Sequence, residues 1–101
     1  MDAEIKRKWV EALRSGKYSQ CRDALRKESD YCCLGVLCDL QAPEEWRNEM
    51  GIFKHRYEQG IPDEGIRGPA RLKYDDASDL AEMNDSGKSF AEIADYIEQN
   101  L

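Results

Sequence analysis

Tyr31-Cys32-Cys33-Leu34-Gly35-Val36-Leu37-Cys38-Asp39-Leu40 is the only long apolar run in a chain of 101 residues that is 36% charged. It holds three of the four cysteines, and any core must be built around it. Apolar residues occupy every side of Leu34–Leu40, so the segment is buried whichever backbone it adopts. Its length predicts a short helix. Ala42-Pro43 ends that helix, because proline disfavours helical backbone at the residue before it.

N-terminal to the run, residues 2–15 read as an amphipathic helix. Ile5, Trp9, Ala12 and Leu13 recur at helical spacing, with Lys6, Arg7, Lys8, Glu11 and Arg14 opposite them. Asp2 is placed to cap the first turn and Gly16 to close the last. Tyr18, Cys21 and Leu25 are spaced for either a helix or two short strands, and the preferred reading is a short antiparallel hairpin, with one strand near Ser19–Leu25 and a second beginning near Asp30–Cys33. The polar cluster Lys27-Glu28-Ser29-Asp30 supplies its turn.

C-terminal to the run, Pro43-Glu44-Glu45-Trp46 has the form of a new helix start that should stop near Gly51. Residues 52–73 carry Gly60, Pro62, Gly65, Gly68 and Pro69 and read as loop with one or two short strands. Beyond them, Asp75 or Asp76 is expected to cap a helix carrying Ala77, Leu80, Ala81 and Met83. Asn84-Asp85-Ser86-Gly87 breaks it. Ser89 and Glu92 then form a capping box for a last helix with Phe90, Ile93, Ala94, Ile97 and Leu101 inward. The expectation is a small single α+β domain in which three helices pack around the cysteine-rich run.

Charge is uneven along the chain, whose net value is -6. Residues 1–31 carry eight Lys/Arg against six Asp/Glu, whereas residues 75–101 carry Lys88 alone against eight acids. An acidic end repels phosphate and attracts a basic protein surface, so direct nucleic-acid binding is not expected. No apolar segment approaches the roughly 20 residues needed to span a membrane. The charged start of the chain is unlike a secretory signal, so a reducing cytoplasm is the expected compartment.

The cysteines are candidate zinc ligands on residue type alone. Structural zinc wants two pairs of ligands two to four residues apart. Cys32 and Cys33 are adjacent, Cys38 stands five beyond Cys33, and His55 is the only histidine. Cys32, Cys33 and Cys38 are therefore read as buried thiols, with no cofactor or metal expected and a zinc-stapled module kept as an alternative. Gly87-Lys88-Ser89 lacks the upstream glycine of a phosphate-binding loop. The helix at Ser89–Leu101 resembles the first helix of a helix-turn-helix, and a groove-reading second helix is not expected. No nucleophile–base pair assembles from these residues, and no enzymatic activity is expected.

Three motifs carry a resemblance. Trp9-Val10-Glu11-Ala12-Leu13-Arg14-Ser15-Gly16 with Tyr18, the run Tyr31–Leu40, and Asn84-Asp85-Ser86-Gly87-Lys88-Ser89-Phe90 with Glu92-Ile93-Ala94 resemble, in that order, small proteins common in tailed-phage genomes. The resemblance implies a phage or prophage protein in bacterial cytoplasm, and by association an inhibitor of host or defence machinery of the anti-CRISPR-like kind. On that reading Asp75, Asp76, Asp79, Glu82 and Asp85 would meet a basic surface on the partner, such as a nucleic-acid channel. The alternative is a binder that sequesters a signalling nucleotide with Arg14, Lys17, Tyr18, Arg22 and Arg26.

Overall fold

The computed structural model describes residues 1–101. Its order is α1 (Ala3–Arg14), β1 (Ser19–Gln20), β2 (Arg26–Lys27), β3 (Asp30–Tyr31), α2 (Cys33–Gln41), a single 3-10 turn (Pro43–Glu45), β4 (Trp46–Glu49), β5 (Ile52–His55), α3 (Glu64–Ala70), α4 (Tyr74–Asp85) and α5 (Phe90–Asn100). This is an α+β architecture with two small sheets, and 20 buried residues form one hydrophobic core.

α2 is the centre of that core. Cys33 to Cys38 are all buried, and only the last three residues, Asp39, Leu40 and Gln41, begin to emerge. The Sγ of Cys32 starts the helix by accepting the Gly35 N–H at 3.3 Å. The Leu25 carbonyl passes directly over Gly35, where a β-carbon would overlap its oxygen. Gly35 is there because the backbones must touch. That carbonyl also accepts the Cys32 N–H at 3.0 Å, which fixes the β2 approach to the helix.

α1 and α5 pack side by side, and α1 and α4 lie against α2. Asp2 caps α1 by accepting the Ile5 N–H at 2.9 Å, and Gly16 follows with φ 76°. Trp9 is fully buried and its Nε1 donates to the Cys33 carbonyl at 2.8 Å. The capping box of α5 forms as expected, with Ser89 Oγ accepting from Glu92 N–H and Glu92 Oε1 accepting from Ser89 N–H, both at 3.1 Å.

Four expectations are corrected. The helix from Pro43 to Gly51 is one 3-10 turn followed by the β4–β5 hairpin. Met50 and Gly51 take φ 55° and 86° at its tip, the left-handed pair of a two-residue turn, so Gly51 turns a hairpin rather than stopping a helix. The hairpin near Ser19–Cys33 is smaller and differently paired. β3 is antiparallel to β2 across Glu28-Ser29, while β1 lies parallel to β3 on its other side.

In the loop-rich segment, Glu64–Ala70 is a helix despite Gly65, Gly68 and Pro69. Pro69 sits in its last turn, and Arg71 closes it in the left-handed region at φ 54°. Finally, α4 starts earlier than its acids suggest. Lys73 is its N-cap residue, no side chain caps it, and Asp75 and Asp76 lie inside the first turn. There they face the positive end of the helix dipole, which suits them without capping.

Candidate functional site

α4 turns Ala77, Leu80 and Asn84 inward, so helical spacing puts Asp75, Asp79 and Glu82 outward and exposed, with Asp76 half-buried beside them. None of these four carboxylates lies within 4.0 Å of a Lys, Arg or His nitrogen. The acids of α5 are engaged. Arg14 of α1 reaches Asp95 at 2.7 Å and Glu98 at 3.2 Å, and the two carboxylates hold its guanidinium above its ordinary pKa, Glu98 first. Glu92 is held below the usual carboxylate range by the Ser89 N–H that it accepts, and Lys88 lies at 3.9 Å. Of the two C-terminal helices, α4 is therefore the one whose carboxylates stay free of cations, as do Asp23, Glu28, Asp30, Glu44, Glu45 and Glu58 elsewhere on the surface.

Asp85 does not belong with that face. Its Oδ1 accepts the Asp23 N–H at 2.8 Å, holding the turn in which Asp23 takes φ 65°. The residue before it, Asn84, is fully buried and ties three elements together. Its Oδ1 accepts from Cys33 N–H (3.1 Å) and Gln20 Nε2 (2.8 Å), and its Nδ2 donates to the Cys21 carbonyl (2.8 Å). The Asn84-Asp85 pair is a structural clamp, and sequence reading took it only as a helix break. The signal available was an Asn on the inward stripe of an otherwise apolar helix face.

The proposed nucleotide-binding set is not brought together. Arg14 is spent on α5. Arg22 lies against Gly87. Arg26 lies over Phe53 at 4.2 Å, Tyr31 at 5.1 Å and Trp46 at 5.3 Å, and donates to the Glu28 carbonyl. Tyr18 Oη donates to Asp39 at 2.6 Å, and burial together with that carboxylate raises its phenol well above the ordinary range. Lys17 and Tyr18 do line an open groove of about 440 Å³ with Arg7, Lys8, Glu11 and Leu40. It holds neither Arg22 nor Arg26.

Asp39 instead anchors an aromatic chain that sequence reading missed. It accepts from Tyr18 and, at 3.0 Å, from Trp46 Nε1. Tyr18, Tyr31, Trp46 and His55 then meet edge to face at 5.1, 5.8 and 4.8 Å in succession. His55 is buried against the Ala42 carbonyl through Nε2 at 2.8 Å, and its Nδ1 has no partner. The chain of rings fastens the β4–β5 hairpin to α2, with Trp46 half-buried in it. The signal was Asp39 itself, the one acid in the apolar run.

All four cysteines are buried thiols, and no three His, Cys, Asp or Glu side chains gather in a way that would hold a metal ion. Burial pushes the Cys32 thiol up to about 12 and Cys33 and Cys38 well above their ordinary value, so none supplies a thiolate near neutral pH. The zinc-stapled module has no ligand set.

No helix is long and apolar enough to cross a membrane. No curated protein and no solved structure matches the chain. A family model described as Domain of unknown function (DUF8296) matches residues 1–76, which takes in α1, the three short strands, α2, the hairpin, α3 and the first turn of α4. The chain belongs to that family.

Proposed function

We propose that this chain is a non-enzymatic phage accessory protein that acts in the bacterial cytoplasm by binding a host or defence protein. The acidic outer face of α4 makes the contact, and the partner's surface is basic, of the kind that otherwise receives nucleic acid. One observation carries this reading. Asp75, Asp76, Asp79 and Glu82 have no cation partner, while the acids of neighbouring α5 are neutralised by Arg14 and Lys88 or used in a cap. Carboxylates that the fold does not use remain available to steer and hold a cationic partner. Asp85, tied to Asp23, is outside the contact.

The test is charge reversal. A bacterial protein captured on the wild-type chain should be displaced by duplex DNA or by raised salt. It should be lost from the triple variant Asp75→Lys, Asp79→Lys, Glu82→Lys, while Asp95→Lys on α5 retains it. Undiminished capture by the triple variant, with its fold verified by circular dichroism, sinks the proposal.

A further inference from the structure

The outer edge of β4 is a row of backbone groups that the chain leaves unused. Opposed residues in an antiparallel pair alternate between pairs that exchange both hydrogen bonds and pairs that exchange none. His55 donates to the Glu58 carbonyl at 2.9 Å and accepts the Glu58 N–H at 3.0 Å, so the Trp46–His55 pair is of the second kind. Alternation makes Asn48–Phe53 unbonded as well, with Arg47–Lys54 and Glu49–Ile52 as the bonded pairs. The N–H and C=O of Asn48 therefore point away from β5, and no turn, loop or cap bond uses them. Arg47, Asn48 and Glu49 are all exposed.

Proteins commonly protect such an edge with charge. Here the charges are arranged so that they do not repel a second copy of themselves. If two β4 strands lie antiparallel about Asn48, Asn48 faces Asn48 and its outward peptide groups exchange both hydrogen bonds. Arg47 of each copy then faces Glu49 of the other, and the symmetry makes two ion pairs from one sequence. Within the single chain Arg47 has no carboxylate partner and lies over the Tyr57 ring at 5.1 Å, while Glu49 shares only Lys54 at 3.1 Å. Met50, fully exposed at the hairpin tip, comes beside the start of the other copy's β4.

We infer that two copies of this chain associate about a two-fold axis through Asn48, joining their hairpins into one four-stranded antiparallel sheet. Four residues per strand make a small contact, and it belongs with the weaker class of interfaces. The α4 face takes no part in it.

Sedimentation velocity across a concentration series tests the inference. The wild type should show a concentration-dependent dimer. R47E and E49R, each of which puts like charges opposite one another twice, should weaken dimerisation by about tenfold or more. The double variant R47E/E49R restores both pairs and should dimerise like the wild type. An equimolar mixture of the two single variants should form a heterodimer that neither forms alone. Circular dichroism and, on protein dilute enough to be monomeric, the unfolding midpoint of each single variant should match the wild type, because an exposed pair contributes little to folding. A wild type that stays monomeric at the highest concentration overturns the inference. So do single variants that dimerise unchanged, or a mixture that fails to pair.

Discussion

α2 and the β4–β5 hairpin are neighbours in the chain and opposites in their relation to solvent. α2 buries every residue from Cys33 to Cys38, while β4 exposes Arg47, Asn48 and Glu49. α2 is held by contacts distant in sequence, including Leu25 on Gly35, Trp9 on the Cys33 carbonyl and Asn84 on the Cys33 N–H. The hairpin is held by its own ladder and turn, and reaches the core through Trp46 and His55, with Phe53 under Arg26 at its side. A segment fixed by many remote partners tolerates no change of volume or charge. A locally specified segment tolerates both, and is free to present an edge. Perturbations of the two should therefore differ in size and, at one position, in sign.

The largest expected effect is alkaline unfolding through α2. Cys32, Cys33 and Cys38 are buried, and burial pushes the Cys32 thiol up to about 12 and raises Cys33 and Cys38 well above their ordinary value. A folded-state value above the unfolded value of about 8.5 means that the stability is fully present below that pH and is lost as pH rises. At pH 10 each thiol costs roughly 2 kcal/mol, so the three together cost on the order of 6 kcal/mol. The raised phenol of Tyr18 acts in the same direction. Urea unfolding under reducing conditions should show a steep fall between pH 8 and pH 10, and Cys38→Ala should make it shallower. A flat profile over that range contradicts the burial of these thiols as ionisable groups.

A smaller effect comes from adding one carbon. In Gly35→Ala the new methyl overlaps the Leu25 carbonyl, a backbone atom already bonded to Cys32 N–H. Neither side can rotate away, so α2 must shift in a close-packed core, at a cost of about 3 kcal/mol. Chemical denaturation measures it. The same change at exposed Gly60, which has open space around it, should cost far less, and equal losses at the two sites would contradict the close approach.

The difference between the two regions also explains what could be read from the sequence. α1, α2 and α5 announce themselves through apolar spacing and caps, because Asp2, Ser89 and Glu92 act within three residues of their targets. Asn84 acts on Gln20, Cys21 and Cys33, and nothing local to Asn84-Asp85-Ser86-Gly87 names those partners. Asp39 was visible as an anomaly, but its partners Tyr18 and Trp46 arrive from both directions. The hairpin was missed for a different reason. Pro43-Glu44-Glu45 favours one helical turn and makes one, after which Met50 adopts a left-handed backbone that its residue type disfavours. The acids of α4 were legible as charge, yet only the ion pairs of Arg14 show which helix keeps its carboxylates free.

That left-handed Met50 supplies the smallest effect, and the one of opposite sign. A non-glycine residue there costs about 1 kcal/mol, whereas Asn-Gly is the preferred pair for this two-residue turn. The Met50 side chain is wholly exposed, so replacing it removes no packing within the chain. Met50→Asn should therefore stabilise the protein by about 0.5–1 kcal/mol, the reverse of every change considered in α2. Amide exchange at Ile52 and Lys54, whose N–H groups bond β4, should slow along with it, while the amides of α2 keep their rates relative to global unfolding. Measured on dilute protein, the gain reflects the turn alone and not the association of two edges. A loss of stability at this position would mean that the hairpin, like α2, is held by more than its own turn and ladder.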